Sequence, residues 1–144
     1  MDGEVFKLRT KIDDLDIMTH KIALKFPKYE RHVLGADVRG ITSNIIRYEI
    51  LAVQTQASES RNHLKPSETL KILRRLDAEV GLLKRQIQKA DNLDYLRGIA
   101  ETTRAEWSEL TNEVGKMLGA WIKTVEQRVY SSPVKQQRSQ GSLI

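Results

Sequence analysis

From Val5 the apolar positions Leu8, Ile12, Leu15, Ile22 and Phe26, with Thr19 filling the gap, follow one another in alternating steps of three and four residues. That spacing sets side chains on one face of a helix. It predicts a helix from Val5 to Phe26, stopped by Pro27, because proline disfavours helical geometry in the residue before it and has no N–H for the ladder. Leu34, Val38, Ile41, Ile45, Tyr48 and Ala52 form a second stripe, with Ile46, Ile50 and Val53 beside it, so helix two is expected to be wide and central and to fade near Ala57. Residues 58 to 65 are polar and aperiodic; Pro66 or Ser67 then offers a helix start, proline in the first turn or serine as the cap. Helix three is expected to reach about Ala90. Asp91, Asn92 and Asp94 mark a turn, with Leu93, Tyr95 and Leu96 free to extend either neighbour. In the fourth helix Trp107, Leu110, Val114, Met117, Leu118, Trp121, Ile122, Val125 and Val129 cover about 140° of the circumference, a core face. Short links between long helices imply antiparallel neighbours. The expected fold is all-α, an up-down-up-down four-helix bundle over residues 1–129. Residues 130–144, polar and slightly basic, have the composition of a disordered tail.

Composition narrows the class. A chain of 144 residues suits one core. The absence of cysteine removes disulfides, thiolate metal sites and cysteine nucleophiles, and fits a reducing compartment. The start, Met1-Asp2-Gly3-Glu4, lacks a cationic segment followed by an apolar run, and nowhere do 18 apolar residues stand together. The expectation is a cytoplasmic protein with no membrane partner. A net charge of +5 favours an anionic partner without specifying one.

Placement of the charge says more. Residues 66 to 90 carry six cations against three carboxylates, the largest excess of any segment, whereas 91 to 129 are net acidic. On a helical projection Lys71, Arg74, Arg75, Arg85 and Lys89 fall within roughly 100° of arc, opposite Ile72, Leu73, Leu76, Val80, Leu83 and Ile87. Only Ala78 and Leu82 break the middle of this stripe. Two readings stay open from the pattern, a solvated face and a phosphate-binding surface. No aromatic stands within the stripe, which favours backbone contact of low sequence specificity over a single-strand stacking platform. Lys7, Lys11, Lys21 and Lys25 make a weaker patch on helix one, interrupted by Asp14. Glu106, Glu109 and Glu113 form an acidic stripe on helix four, suited to the cations of a second copy in a head-to-tail ring. Ile17 and Leu24 mark either a subunit contact or a broader core face. Gly115 and Gly119 permit close helix approach, and Trp107 and Trp121 are expected in the core.

Catalytic chemistry finds no foothold. Bundle enzymes recruit metals through Glu-x-x-His pairs, and His20, His32 and His63 have no acid three residues before them. Asp16/His20 and Glu59/His63 are single i,i+4 pairs without an evident third ligand. No glycine-rich phosphate loop or nucleophile elbow appears. The chain is read as a non-enzyme with no cofactor.

Two segments carry a resemblance. Phe26-Pro27-Lys28-Tyr29-Glu30-Arg31, Leu34-Gly35, Val38-Arg39 and Ser43-Asn44-Ile45 are similar to the helix-one to helix-two region of the bacterial four-helix-bundle family that includes ribosomal intervening-sequence proteins and the accessory variability determinants (Avd) of diversity-generating retroelements. Residues 113 to 122, Glu-Val-Gly-Lys-Met-Leu-Gly-Ala-Trp-Ile, resemble the end of helix four in Avd-type members. The asparagine-isoleucine stretch continues Ile46-Arg47-Tyr48-Glu49, without the alanine-glutamate-glycine ending of intervening-sequence members, which favours the Avd branch; Tyr29 stands where a small capping residue is frequent. The resemblance implies a pentameric ring with a basic surface that holds a reverse transcriptase and its template RNA while mutagenic cDNA is made. Whether DNA is also bound stays open, as do the alternatives of an intervening-sequence-type bundle and a structural adaptor without a polymerase partner. The stripe Lys71, Arg74, Arg75, Arg85 and Lys89 is the candidate nucleic-acid surface, inferred from the projection and not from the family.

Overall fold

The computed structural model describes residues 3–62 and 65–131. Within them lie four helices and no strand: α1 (Gly3–Ala23), α2 (Leu34–Asn62), α3 (Pro66–Asn92) and α4 (Glu101–Tyr130). Each helix packs against its neighbours in the chain, α1 closes the ring against α4, and the diagonal pairs make no close approach. This is the expected up-down-up-down arrangement. Beyond Ser131 the expected tail lies outside the described residues, as does His63.

The periodic apolar residues meet on the axis. Leu15, Val38, Ile45, Leu73, Leu76, Leu83, Trp107, Val114, Leu118 and Val125 are completely buried. Most of the few buried polar groups tie helices together, since a polar group out of water must find a partner. Trp107 donates its indole N–H to Thr19 Oγ1 at 2.9 Å, joining α4 to α1, and Trp121 donates to Gln56 Oε1 at 2.8 Å. Arg9 donates to the buried Glu49 at 2.9 Å and Thr42 donates to Asp16 at 2.7 Å, both between α1 and α2.

Helix ends show where local signals were incomplete. Helix α1 stops at Ala23, three residues before the expected Phe26; Lys25 and Phe26 donate to Ile22 and Ala23 in tightened turns, and Phe26 then plugs the core, fully buried. Helix α2 continues past Ala57 to Asn62. Its polar last turns are anchored by Glu59, which accepts from Thr69 of α3 at 2.6 Å and pairs with Arg128 of α4 at 3.4 Å. Pro66 opens α3 as predicted. At its far end Asp94 sits at φ 62, with its N–H bonded to Asp91 O and that of Tyr95 to Ala90 O. That is a Schellman stop, with aspartate where glycine is usual. Leu96 and Ile99 therefore extend neither helix but drop into the core from the connection.

Three further expectations resolve. Ile17 and Leu24 are 54% and 63% exposed, so they are not a broader core face. A Cβ on Gly115 would lie 3.2 Å from Lys84 Nζ, a close approach of α3, whereas Gly119 faces open space. Ile46 and Val53 are half-buried beside the main stripe of α2, but Ile50 is exposed.

Candidate nucleic-acid interface

Helix α3 presents its apolar side to α2 and α4, which forces the opposite side outward. Lys71, Arg74, Arg75, Arg85 and Lys89 are all exposed there. Lys71 lies 3.6 Å from Glu68, one turn earlier on the same helix. None of the ion pairs among the described residues involves Arg74, Arg75, Arg85 or Lys89. The structure thus brings the five predicted cations onto one surface, in two clusters. Lys71, Arg74 and Arg75 lie near the start of α3, and Arg85 and Lys89 lie near its end. At 1.5 Å per residue the gap from Arg75 to Arg85 is about 15 Å. Ala78 and Leu82, both exposed, form the surface between them.

Several cations of α1 are engaged. Lys11 of α1 meets Glu113 of α4 at 2.9 Å, and the ion pair holds the Lys11 ammonium above its ordinary pKa. The Arg9 guanidinium is likewise raised by its bond to Glu49, and Lys7 stands 3.8 Å from Glu4. The acidic stripe of Glu106, Glu109 and Glu113 is exposed, but Glu113 already has this cation of its own chain. His20 sits on α1 with its Nδ1 2.8 Å from the carbonyl and 3.3 Å from the carboxylate of Asp16, a local pair. No cluster of three or more metal-ligating side chains occurs among the described residues.

Sequence reasoning overlooked the connection between α1 and α2 as a charged surface. Lys25, Lys28, Arg31 and His32 are exposed on it, and Glu30 and Val33 share a groove with Asp37 of α2 and with Gln86, Lys89 and Leu93 of α3 and its cap. Folding therefore places this connection beside the Arg85–Lys89 cluster. The signal was the composition of residues 25 to 32, four cationic or imidazole side chains with one carboxylate; what joins it to α3 is tertiary.

The family model described as bAvd-like matches residues 6–125, from the first turn of α1 into the last turns of α4. The chain belongs to the bAvd-like family. No curated protein matches it, and no solved structure does. The bAvd-like region spans all of α3 and both segments that carried the Avd resemblance. Proteins of this family are accessory and non-catalytic. None of the described helices of this bAvd-like chain is long and apolar enough to cross a membrane.

Proposed function

We propose that this chain is the accessory protein of a diversity-generating retroelement, binding the element's reverse transcriptase and template RNA through a basic surface so that mutagenic cDNA is made. It does no chemistry itself. It works in the cytoplasm as a homo-oligomer, a pentameric ring by the family resemblance. The observation that carries the RNA-binding part is the outward face of α3, where Arg74, Arg75, Arg85 and Lys89 stand exposed and form no ion pair among the described residues. Like charges along one helix face repel by about 0.2–0.5 kcal/mol per i,i+4 pair, and a polyanion relieves that cost. Such contacts hold phosphates and read little sequence, which suits a protein that positions a template instead of selecting a base.

The test is reverse transcription reconstituted from the cognate polymerase and template RNA, with and without this chain. The reading expects cDNA yield to depend on the chain, and to fall when Arg74, Arg75 and Arg85 are all changed to Glu. Yield independent of the chain would contradict it. Light scattering tests the ring: a particle about five times the 16.5 kDa chain is expected, and a monomer mass would remove the oligomer.

A further inference from the structure

Tyr29 is 79% exposed, the most exposed of the large apolar or aromatic side chains among the described residues. A single exposed aromatic is ordinary on a soluble protein. Its surroundings are not. Lys28, Arg31 and His32 stand exposed beside it, and the one carboxylate of the segment, Glu30, is half-buried and faces the groove shared with Tyr95. The cations beside the ring therefore outnumber the one acid of the segment, and that acid is half-buried.

The backbone that carries Tyr29 is fixed. Glu30 and Arg31 donate to Pro27 O at 2.8 and 3.2 Å, Val33 and Gly35 donate to Glu30 O at 3.2 and 2.9 Å, and Arg31 Nε donates to Phe26 O at 3.0 Å. Beneath it Phe26 is fully buried and packs at 6.2 Å between centroids against Tyr95. A ring held out in water on an ordered turn loses little freedom on binding. Aromatic side chains in that state take stacked nucleobases, and the adjoining guanidinium and ammonium groups take the phosphates. The segment also adjoins Lys89 through the groove it shares with α3.

We infer that the α1–α2 connection is a single-strand site in which an unpaired RNA base stacks on Tyr29 while Lys28 and Arg31 hold its phosphates, continuing the surface of α3. This inference rests on the proposal that α3 binds RNA. It adds a stacking platform, and with it a preference for unpaired RNA, to a surface that otherwise reads only charge.

The experiment measures affinity of the full chain for two probes, a fluorescein-labelled 12-nucleotide oligo-uridine and a 12-base-pair RNA duplex. Tyr29→Ala is expected to weaken the single strand roughly 5- to 150-fold, the effect of losing one stacking partner, and the duplex less than about twofold. Tyr29→Phe should restore single-strand affinity and Tyr29→Leu should not. The inference is overturned if Tyr29→Ala leaves the single strand unaffected or weakens both probes equally. It is also overturned if Tyr29→Leu binds like wild type, the result expected of a surface for an apolar protein partner. If the α3 reversals abolish binding of both probes while Tyr29→Ala changes neither, the stacking site falls and the proposed function stands; wild-type protein that binds neither probe at low salt removes the RNA-binding function itself.

Discussion

Two cations of α1 are matched by neighbouring helices: Lys11 reaches Glu113 of α4 and Arg9 reaches Glu49 of α2, both at 2.9 Å. Along the outer side of α3, Arg74, Arg75 and Arg85 are exposed, Lys89 borders the groove that also holds Glu30 and Asp37, and none of the four forms an ion pair among the described residues. The two regions use the same residue types. They differ in whether packing brings an acid across the helix–helix seam. Arg9 and Lys11 serve the fold, and the cations of α3 are left available to a partner. The contrast implies that substitutions near α1 move stability, whereas those on α3 move binding.

The largest effect is expected where α1 meets α4. Trp107→Ala removes a fully buried indole and the donor to Thr19, and should cost about 3–5 kcal/mol in urea unfolding. Glu49→Ala comes next. Breaking a fully buried pair costs about 3–5 kcal/mol, but Arg9 is 37% exposed and recovers water, so about 1–3 kcal/mol is expected by the same measurement. A loss as small as that of a surface substitution would show that the pair around α1 serves the fold no more than the stripe does.

Changing Arg74, Arg75 and Arg85 to Glu together should leave stability within about 1 kcal/mol of wild type, because i,i+4 pairs gained with Lys71 and Lys89 offset the new repulsion from Asp77 and Glu79. A loss of several kcal/mol in thermal unfolding would mean that the stripe is structural after all, and the contrast would collapse. Smallest of all is the exposed Lys11–Glu113 pair. Folding favours the charged ammonium, so its contribution is present at neutral pH and is lost as pH rises through the elevated Lys11 value, above the ordinary 10.5. Lys11→Met should therefore lower stability slightly at pH 7 and make no difference at strongly alkaline pH. An equal loss at both would assign the effect to packing of the lysine stem.

Much of this was legible in the chain itself. Steps of three and four through Leu8, Ile12 and Leu15 located α1, and the projection of Lys71 to Lys89 put five cations on one side of α3 because a long amphipathic helix leaves no other side for them. What could not be read depended on contacts between distant segments. Polar residues 58 to 62 look like a linker until Thr69 and Arg128 hold Glu59. Asp94 in the left-handed region violates the glycine preference, so the stop of α3 was blurred. Lys28, Tyr29 and Arg31 are separated from Lys89 by more than fifty residues of sequence, and only the bundle brings the two segments to one groove.

The central claim, that placement and not number of cations makes α3 the RNA surface, is tested most directly by the salt dependence of RNA affinity in three proteins of known net charge. These are wild type, the Arg74/Arg75/Arg85→Glu variant, and a matched reversal of the exposed Lys7, Lys116 and Lys123 on α1 and α4. If all five stripe cations meet phosphates, the slope of log affinity against log salt approaches roughly −3.5 to −4.5 per chain for wild type. The account predicts a slope flatter by about 2 to 3 in the α3 variant and nearly unchanged in the matched control. Equal flattening in both variants would show that net charge alone governs binding, and would contradict it.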